Sequence, residues 1–161
     1  MQKKGFTLIE LLLYIVIVAL VSGLIAQTLI SITATNQKIV ARKVVDENLD
    51  FAFKKIESEI KKAKAVEVDV SGDILTLTLR DDSIVVFSVD ASDILQKNVG
   101  GVDYPITSDN VIVTDIDGHL FSKIELSSTT TTQIKMKVKY KSDDPKLSSI
   151  ESKAQTTVGL R

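Results

Sequence analysis

The chain has 161 residues, 20 basic against 21 acidic side chains for a net charge of -1, no cysteine and one histidine. This length bounds it to one modest packed core. The charge balance supplies no bulk field that would select a nucleic acid or an acidic surface, and the missing thiols exclude disulfide frameworks and thiolate metal sites. With His119 as the lone histidine, a histidine-rich metal site is excluded as well.

Residues 1–5 form a short basic leader in which Lys3 and Lys4 precede Gly5. The positive-inside bias keeps such lysines on the cytoplasmic side. Leu11 to Gln37 then runs 27 residues without a charge, densest in Leu, Ile and Val up to Ala26, which is enough to cross a bilayer as a helix. A cleaved secretory signal fits poorly, because its small-residue cleavage site would follow the apolar run, whereas Gly5 precedes it. Glu10 stands at the edge of this run. A carboxylate there costs a few kcal/mol to desolvate without a partner, so it is the first candidate for a functional residue.

After Gln37 the pattern becomes amphipathic. Val40, Val44, Leu49, Phe53, Ile56, Ile60 and Ala63 recur at three- and four-residue steps, and no proline interrupts Phe6 to Lys64. One continuous helix is predicted, with an apolar half over 6–37 and an amphipathic half over 38–64. It would be roughly 90 Å long at 1.5 Å per residue, longer than any bilayer is thick, so its second half must project and pack on something. Gly23 permits close packing or a bend within the apolar half.

From Ala65 the period falls to two. Val66 to Val70, Leu75 to Leu79 and Val85 to Val89 alternate apolar and polar residues around turns at Ser71-Gly72-Asp73 and Asp81 to Ser83, which predicts a three-strand antiparallel meander covering the helix. Asp90 to Asn110 reads as an irregular connection. Val111 to Ile116 and His119 to Leu126 flank Asp117-Gly118, the signal of a two-residue hairpin. Asp115-Ile116-Asp117-Gly118 has part of a calcium loop's spacing but lacks the further acids and distal glutamate, so a plain turn is expected. Ser127 to Thr132 reads as a polar linker. Ile134, Met136, Val138 and Tyr140 then face opposite to Lys135, Lys137, Lys139 and Lys141. This lysine face reads as a solvated sheet face or a blunted edge strand; contact with nucleic acid or acidic lipid is possible but otherwise unsupported. Ser142 to Ser149 is a loop, and Ala154 to Leu160 a last strand. The fold class is therefore α+β: a long N-terminal helix packed on an antiparallel sheet head over 65–161. No catalytic constellation or cofactor motif accompanies it, so no enzyme and no cofactor are expected.

Lys3-Lys4-Gly5-Phe6-Thr7-Leu8-Ile9-Glu10-Leu11 resembles the class III signal of type IV prepilins and the related pseudopilins. The resemblance implies that a prepilin peptidase cleaves after Gly5 and methylates the new amine of Phe6, with Glu10 serving assembly. It further implies other pilin or pseudopilin subunits and an inner-membrane assembly platform as partners, with membrane lipid around the apolar half beforehand. The head would lie outside the cytoplasm, in the cytoplasmic membrane at first and later in a surface or periplasmic filament. Independently, a buried carboxylate needs a cation, and the Phe6 amine of a neighbouring subunit would supply one while fixing register. Many major pilins carry a proline late in the apolar segment, whereas the prolines here are Pro105 and Pro145, which points to a minor subunit. The Thr156 to Arg161 ending is similar to larger minor pilins and J-type pseudopilins. The alternatives are a major pilin, or a single-pass anchor that merely tethers an extracytoplasmic binding module.

Overall fold

The computed structural model describes residues 7–126 and 129–160. It divides into two compact units, residues 1–39 and residues 40–161. Helix α1, Leu8–Lys62, contributes to both. Its length follows from the composition: Leu, Ile, Ala and paired charges fill it, and it contains no proline. Lys61 and Lys62 occupy its last turn, where cations suit the negative end of the helix dipole. The chain passes directly from Lys62 into a strand at Ala63, two residues earlier than the change of period indicates.

Within the first unit, every described residue of α1 is exposed. Its hydroxyl side chains bond internally, with Thr28, Thr33 and Thr35 each donating to the carbonyl four residues back at 2.8, 3.0 and 2.9 Å. Hydroxyls satisfied in this way are tolerated where no water is present. A Cβ built on Gly23 meets nothing within 4 Å, so no packing inside this chain requires glycine there.

In the second unit α1 buries one stripe, Ala41, Val45, Leu49, Ala52, Ile56 and Ile60. The stripe is rotated from the predicted one: Val40 is exposed, and Val44 and Phe53 lie half-buried at the flank. Ala52 takes the centre, where a small side chain lets the helix backbone approach the sheets.

Two antiparallel sheets pack on this stripe. The first joins β1 (Ala63–Val68), β2 (Leu75–Leu79), β3 (Ile84–Val89), β4 (Leu95–Val99) and β5 (Val102–Pro105) in sequential order. The predicted meander is present, and β4 and β5 extend it through the segment expected to be irregular. The second contains β6 (Val111–Thr114), β7 (Phe121–Leu126), β8 (Thr129–Tyr140) and β9 (Glu151–Gly159). A single helical turn, α2 (Pro145–Ser148), interrupts the loop before β9 and is capped by the Asp144 carboxylate, which accepts from the Lys146 N–H.

The Asp117-Gly118 hairpin does not form. β6 pairs with residues 137–140 of β8 and β7 with residues 129–134 of the same strand, so the two run in the same direction along one edge of β8 and cannot pair with each other. Residues 115–120 are the jog between them. Gly118, at φ +87°, donates its N–H to the Asp115 carboxylate at 2.6 Å and closes a bend there. β9 occupies the other edge of β8. β8 is therefore an interior strand, which removes the edge-strand reading of its lysines, and it extends back over Thr129–Thr132, part of the supposed linker. Ser127 and Ser128 lie outside the described residues.

Phe87, Phe121, Leu75, Leu77, Ile134 and Met136 join the helix stripe in one core cluster. The sheets meet at the β1–β2 turn, where the Phe121 N–H donates to the Gly72 carbonyl at 2.8 Å. Gly72 has φ +75°, and a Cβ there would fall 2.7 Å from His119 Nδ1 and 2.9 Å from the Phe121 carbonyl. Both the backbone conformation and the space require glycine.

Candidate functional site

The start of α1 is built by local chemistry. Thr7 stands immediately before the first helical residue and accepts the Glu10 N–H on both its carbonyl, at 3.1 Å, and its hydroxyl, at 3.4 Å. Thr7-Leu8-Ile9-Glu10 has the spacing of a capping box, and the hydroxyl bond is one half of it. Sequence reasoning that treats Glu10 only as an assembly residue misses this second role, although the spacing alone discloses it. As an anion in the first turn, Glu10 also complements the positive end of the helix dipole. It is exposed, and so are the apolar side chains that follow it, from Leu11 through Ile32. An apolar helical surface of this extent is unstable in water and requires lipid or other apolar helices around it. Gly5 and Phe6 lie outside the described residues.

Among the described residues, the head holds one buried ionic group. Glu59 reaches the core-facing side of α1 with its side chain 6% exposed, and Lys97 of β4 donates to it at 2.8 Å from a side chain 16% exposed. Lys62 lies 3.7 Å and Lys55 4.0 Å from the same carboxylate. Burial pushes the Glu59 carboxyl up, but the Lys97 hydrogen bond and the three surrounding ammonium groups outweigh it and hold the group below its ordinary value. This pair ties helix to sheet. About three turns earlier on the same helix, Asn48 accepts the Ser108 N–H at 2.8 Å and donates to the Val44 carbonyl at 2.8 Å. The segment after β5 is tied to β4, with Ile106 N–H donating to the Leu95 carbonyl and Leu95 N–H to the buried Thr107 hydroxyl.

Asp69 and Asp90 each open a turn and accept backbone N–H groups within it. The Asp69 carboxylate takes Asp73 and Ile74, and that of Asp90 takes Ser92 and Ile94, all at 2.8 to 2.9 Å. The Ser71 hydroxyl and these backbone donors lower the Asp69 pKa. No three metal-ligating side chains among the described residues stand close enough together to hold a metal ion. A cleft of about 280 Å³ has Asp73, Asp93 and Asp115 at its rim and Val89, Val113 and Leu120 as its apolar lining. His119 is occupied structurally, its Nδ1 2.6 Å from the Ser71 carbonyl.

The arrangement defines a class: an α+β protein with a long apolar N-terminal helix followed by antiparallel sheets, consistent with the pilin fold. More particularly, residues 1–26 match the family described as the prokaryotic N-terminal methylation motif, so the chain carries a type IV pilin-like prepilin signal. Proteins with that motif are structural rather than enzymatic, and the motif implies processing by a peptidase and assembly with other pilin subunits. No curated protein and no solved structure matches the chain.

Proposed function

We propose that the chain is a prepilin that matures into a subunit, minor rather than major, of a type IV pilus or a related pseudopilus. One observation carries the reading: residues 1–26 match the methylation motif and lead into a helix whose apolar side chains from Leu8 to Ile32 are exposed. Cleavage after Gly5 would leave Phe6 as the new N-terminus, one residue before the Thr7 cap, and methylation would fall on its amine. The apolar half of α1 rests in the cytoplasmic membrane with the head outside the cytoplasm, and is then drawn through the assembly platform into a bundle of like helices. Each aliphatic side chain buried in that bundle contributes about 1.5–3 kcal/mol relative to water. Glu10 meets the Phe6 amine of a neighbouring subunit, and this pairing sets axial register. The minor assignment rests on the proline-free apolar segment.

Mass spectrometry of the chain from cells with an active prepilin peptidase should return an N-terminal methylated Phe6; an intact leader would refute the assignment. Glu10→Ala should still be cleaved, yet enter filaments at a small fraction of the parent level. Normal incorporation would remove its role in register.

A further inference from the structure

The strand edges of the head differ in how open they are. β5 has four residues and ends in Pro105, and the pairing of β1 is irregular between Ala63 and Ala65. One edge of the second sheet is split by the jog between β6 and β7. Short length, proline and irregular pairing each discourage a further strand from adding. β9 has none of these. Its pairing with β8 runs unbroken from Glu151 to Gly159, about 30 Å, and no described strand lies beyond it.

The phase of that pairing decides what the free edge presents. The Tyr140 N–H donates to the Ile150 carbonyl at 2.9 Å, and the Leu160 N–H to the Thr130 carbonyl at 3.1 Å. Such bonds recur at every second residue of an antiparallel ladder, so the even-numbered residues of β9 bond to β8. The N–H and carbonyl groups of Glu151, Lys153, Gln155, Thr157 and Gly159 therefore point outward, and all five residues are exposed. A donor and an acceptor recur together every ~6.8 Å. A phosphate polymer offers acceptors alone and would leave the carbonyls unmatched. Another extended backbone offers both groups at the same spacing.

Side chains set the pattern of that backbone. Ser152, Ala154 and Thr156 lie on the core side, and each is small and only half-buried, so apolar side chains of an added strand could cover this margin of the core. The opposite face carries Lys135, Lys137, Lys139 and Lys153 against Glu151. Glu151 stands across from Lys139 and pairs with Lys153 at 3.0 Å, and Asp117 holds Lys135 at 2.8 Å, which still leaves an excess of positive charge.

We propose that the free edge of β9 takes up an extended segment of a different polypeptide by strand addition, with apolar residues toward the core and acidic or hydroxyl residues on the lysine face. β9 of a second copy matches poorly. Centred on Gln155, it would set Lys153 across from Thr157 and Glu151 across from Gly159; slid until Glu151 faces Lys153, it would overlap only over residues 151–153. The site belongs to the head and does not rest on cleavage or filament assembly.

The full chain in detergent, titrated against a fluorescent peptide that alternates Thr or Asp with N-methylated Val, tests this by anisotropy. Methylating the valines closes the far edge of the peptide, which keeps it from stacking on itself. Saturable binding is expected, weaker by about tenfold when Lys replaces Asp in the peptide. Lys153→Glu should invert that preference. Moving the methyl groups to Thr and Asp should abolish binding. Thr157→Pro removes one outward N–H and leaves the β8 ladder intact, so it should weaken binding at an unchanged melting temperature. Absent binding overturns the proposal, as do equal affinities for the Asp and Lys peptides or binding that survives the moved methyl groups. Self-association of the parent chain that Thr157→Pro removes also overturns it, since the edge would then serve a second copy. If Thr157→Pro lowers the melting temperature, the inversion in Lys153→Glu decides.

Discussion

Replacing Lys97 with methionine tests whether the buried pair holds the helix to the sheet. Removing one partner of a buried ion pair typically costs about 3–5 kcal/mol, because it strands the other charge. Here Lys62 and Lys55 remain 3.7 and 4.0 Å from Glu59 and would take up part of that burden, which places the expected loss near 2–3 kcal/mol. Urea unfolding of the full chain in detergent, followed by circular dichroism, would read it as a lower midpoint at unchanged slope. Glu59→Met combined with Lys97→Met should recover most of the loss, since two apolar side chains leave no stranded charge. The sign of the pH dependence is fixed by the lowered Glu59 pKa. The unfolded chain binds the proton more readily, so the pair's contribution is fully present above the ordinary glutamate value of about 4.3 and is lost as pH falls through the folded-state value. The Lys97→Met variant should lose less stability than the parent over that acid range. A Lys97→Met cost under about 0.5 kcal/mol, or a double variant as unstable as the two single losses summed, would refute the reasoning.

Gly72→Ala should lower stability by about 2–3 kcal/mol, combining a left-handed backbone with contact against the Phe121 carbonyl; an unchanged melting temperature would contradict this. Asn48→Ala strands the Ser108 N–H and should cost about 1–2 kcal/mol, whereas Asn48→Asp, which keeps an acceptor oxygen, should cost less when both are compared by denaturant midpoint.

Much of this architecture is legible from periodicity. The apolar half of α1 and the strands β1 to β3 follow from runs with a single dominant period. β4 escapes because Leu95-Gln96-Lys97-Asn98-Val99 places a lysine at a core-facing position, where the partner that neutralises it, Glu59, is distant in sequence. A local signal was nevertheless present. Asp69-Val70-Ser71-Gly72-Asp73-Ile74-Leu75 and Asp90-Ala91-Ser92-Asp93-Ile94-Leu95 are near repeats, and each forms a carboxylate-capped turn that opens a strand. β5 follows through Gly100-Gly101, both at positive φ, as a two-residue hairpin loop requires. The false hairpin at Asp117-Gly118 has another cause. Turn chemistry reports where a chain bends, and only β8, further along the sequence, determines that the flanking strands lie end to end. At the N-terminus, the same four residues that suggested an assembly acid also encode a helix cap, and both readings of Glu10 use one spacing.

The order of strand pairing bears on how the head folds as the chain emerges. Each strand of the first sheet pairs with its sequence neighbour, so that sheet closes contacts of short separation and can complete as soon as Pro105 has emerged. In the second sheet Val111 has its partner at Tyr140, and Phe121 has its partner at Ile134. β6 and β7 therefore stay unpaired until β8 follows, and β9 arrives later still. A head emerging across the membrane from its N-terminal end would first present one finished sheet on a half-covered helix, with the last quarter of the sequence needed to shield the remaining apolar stripe from aggregation.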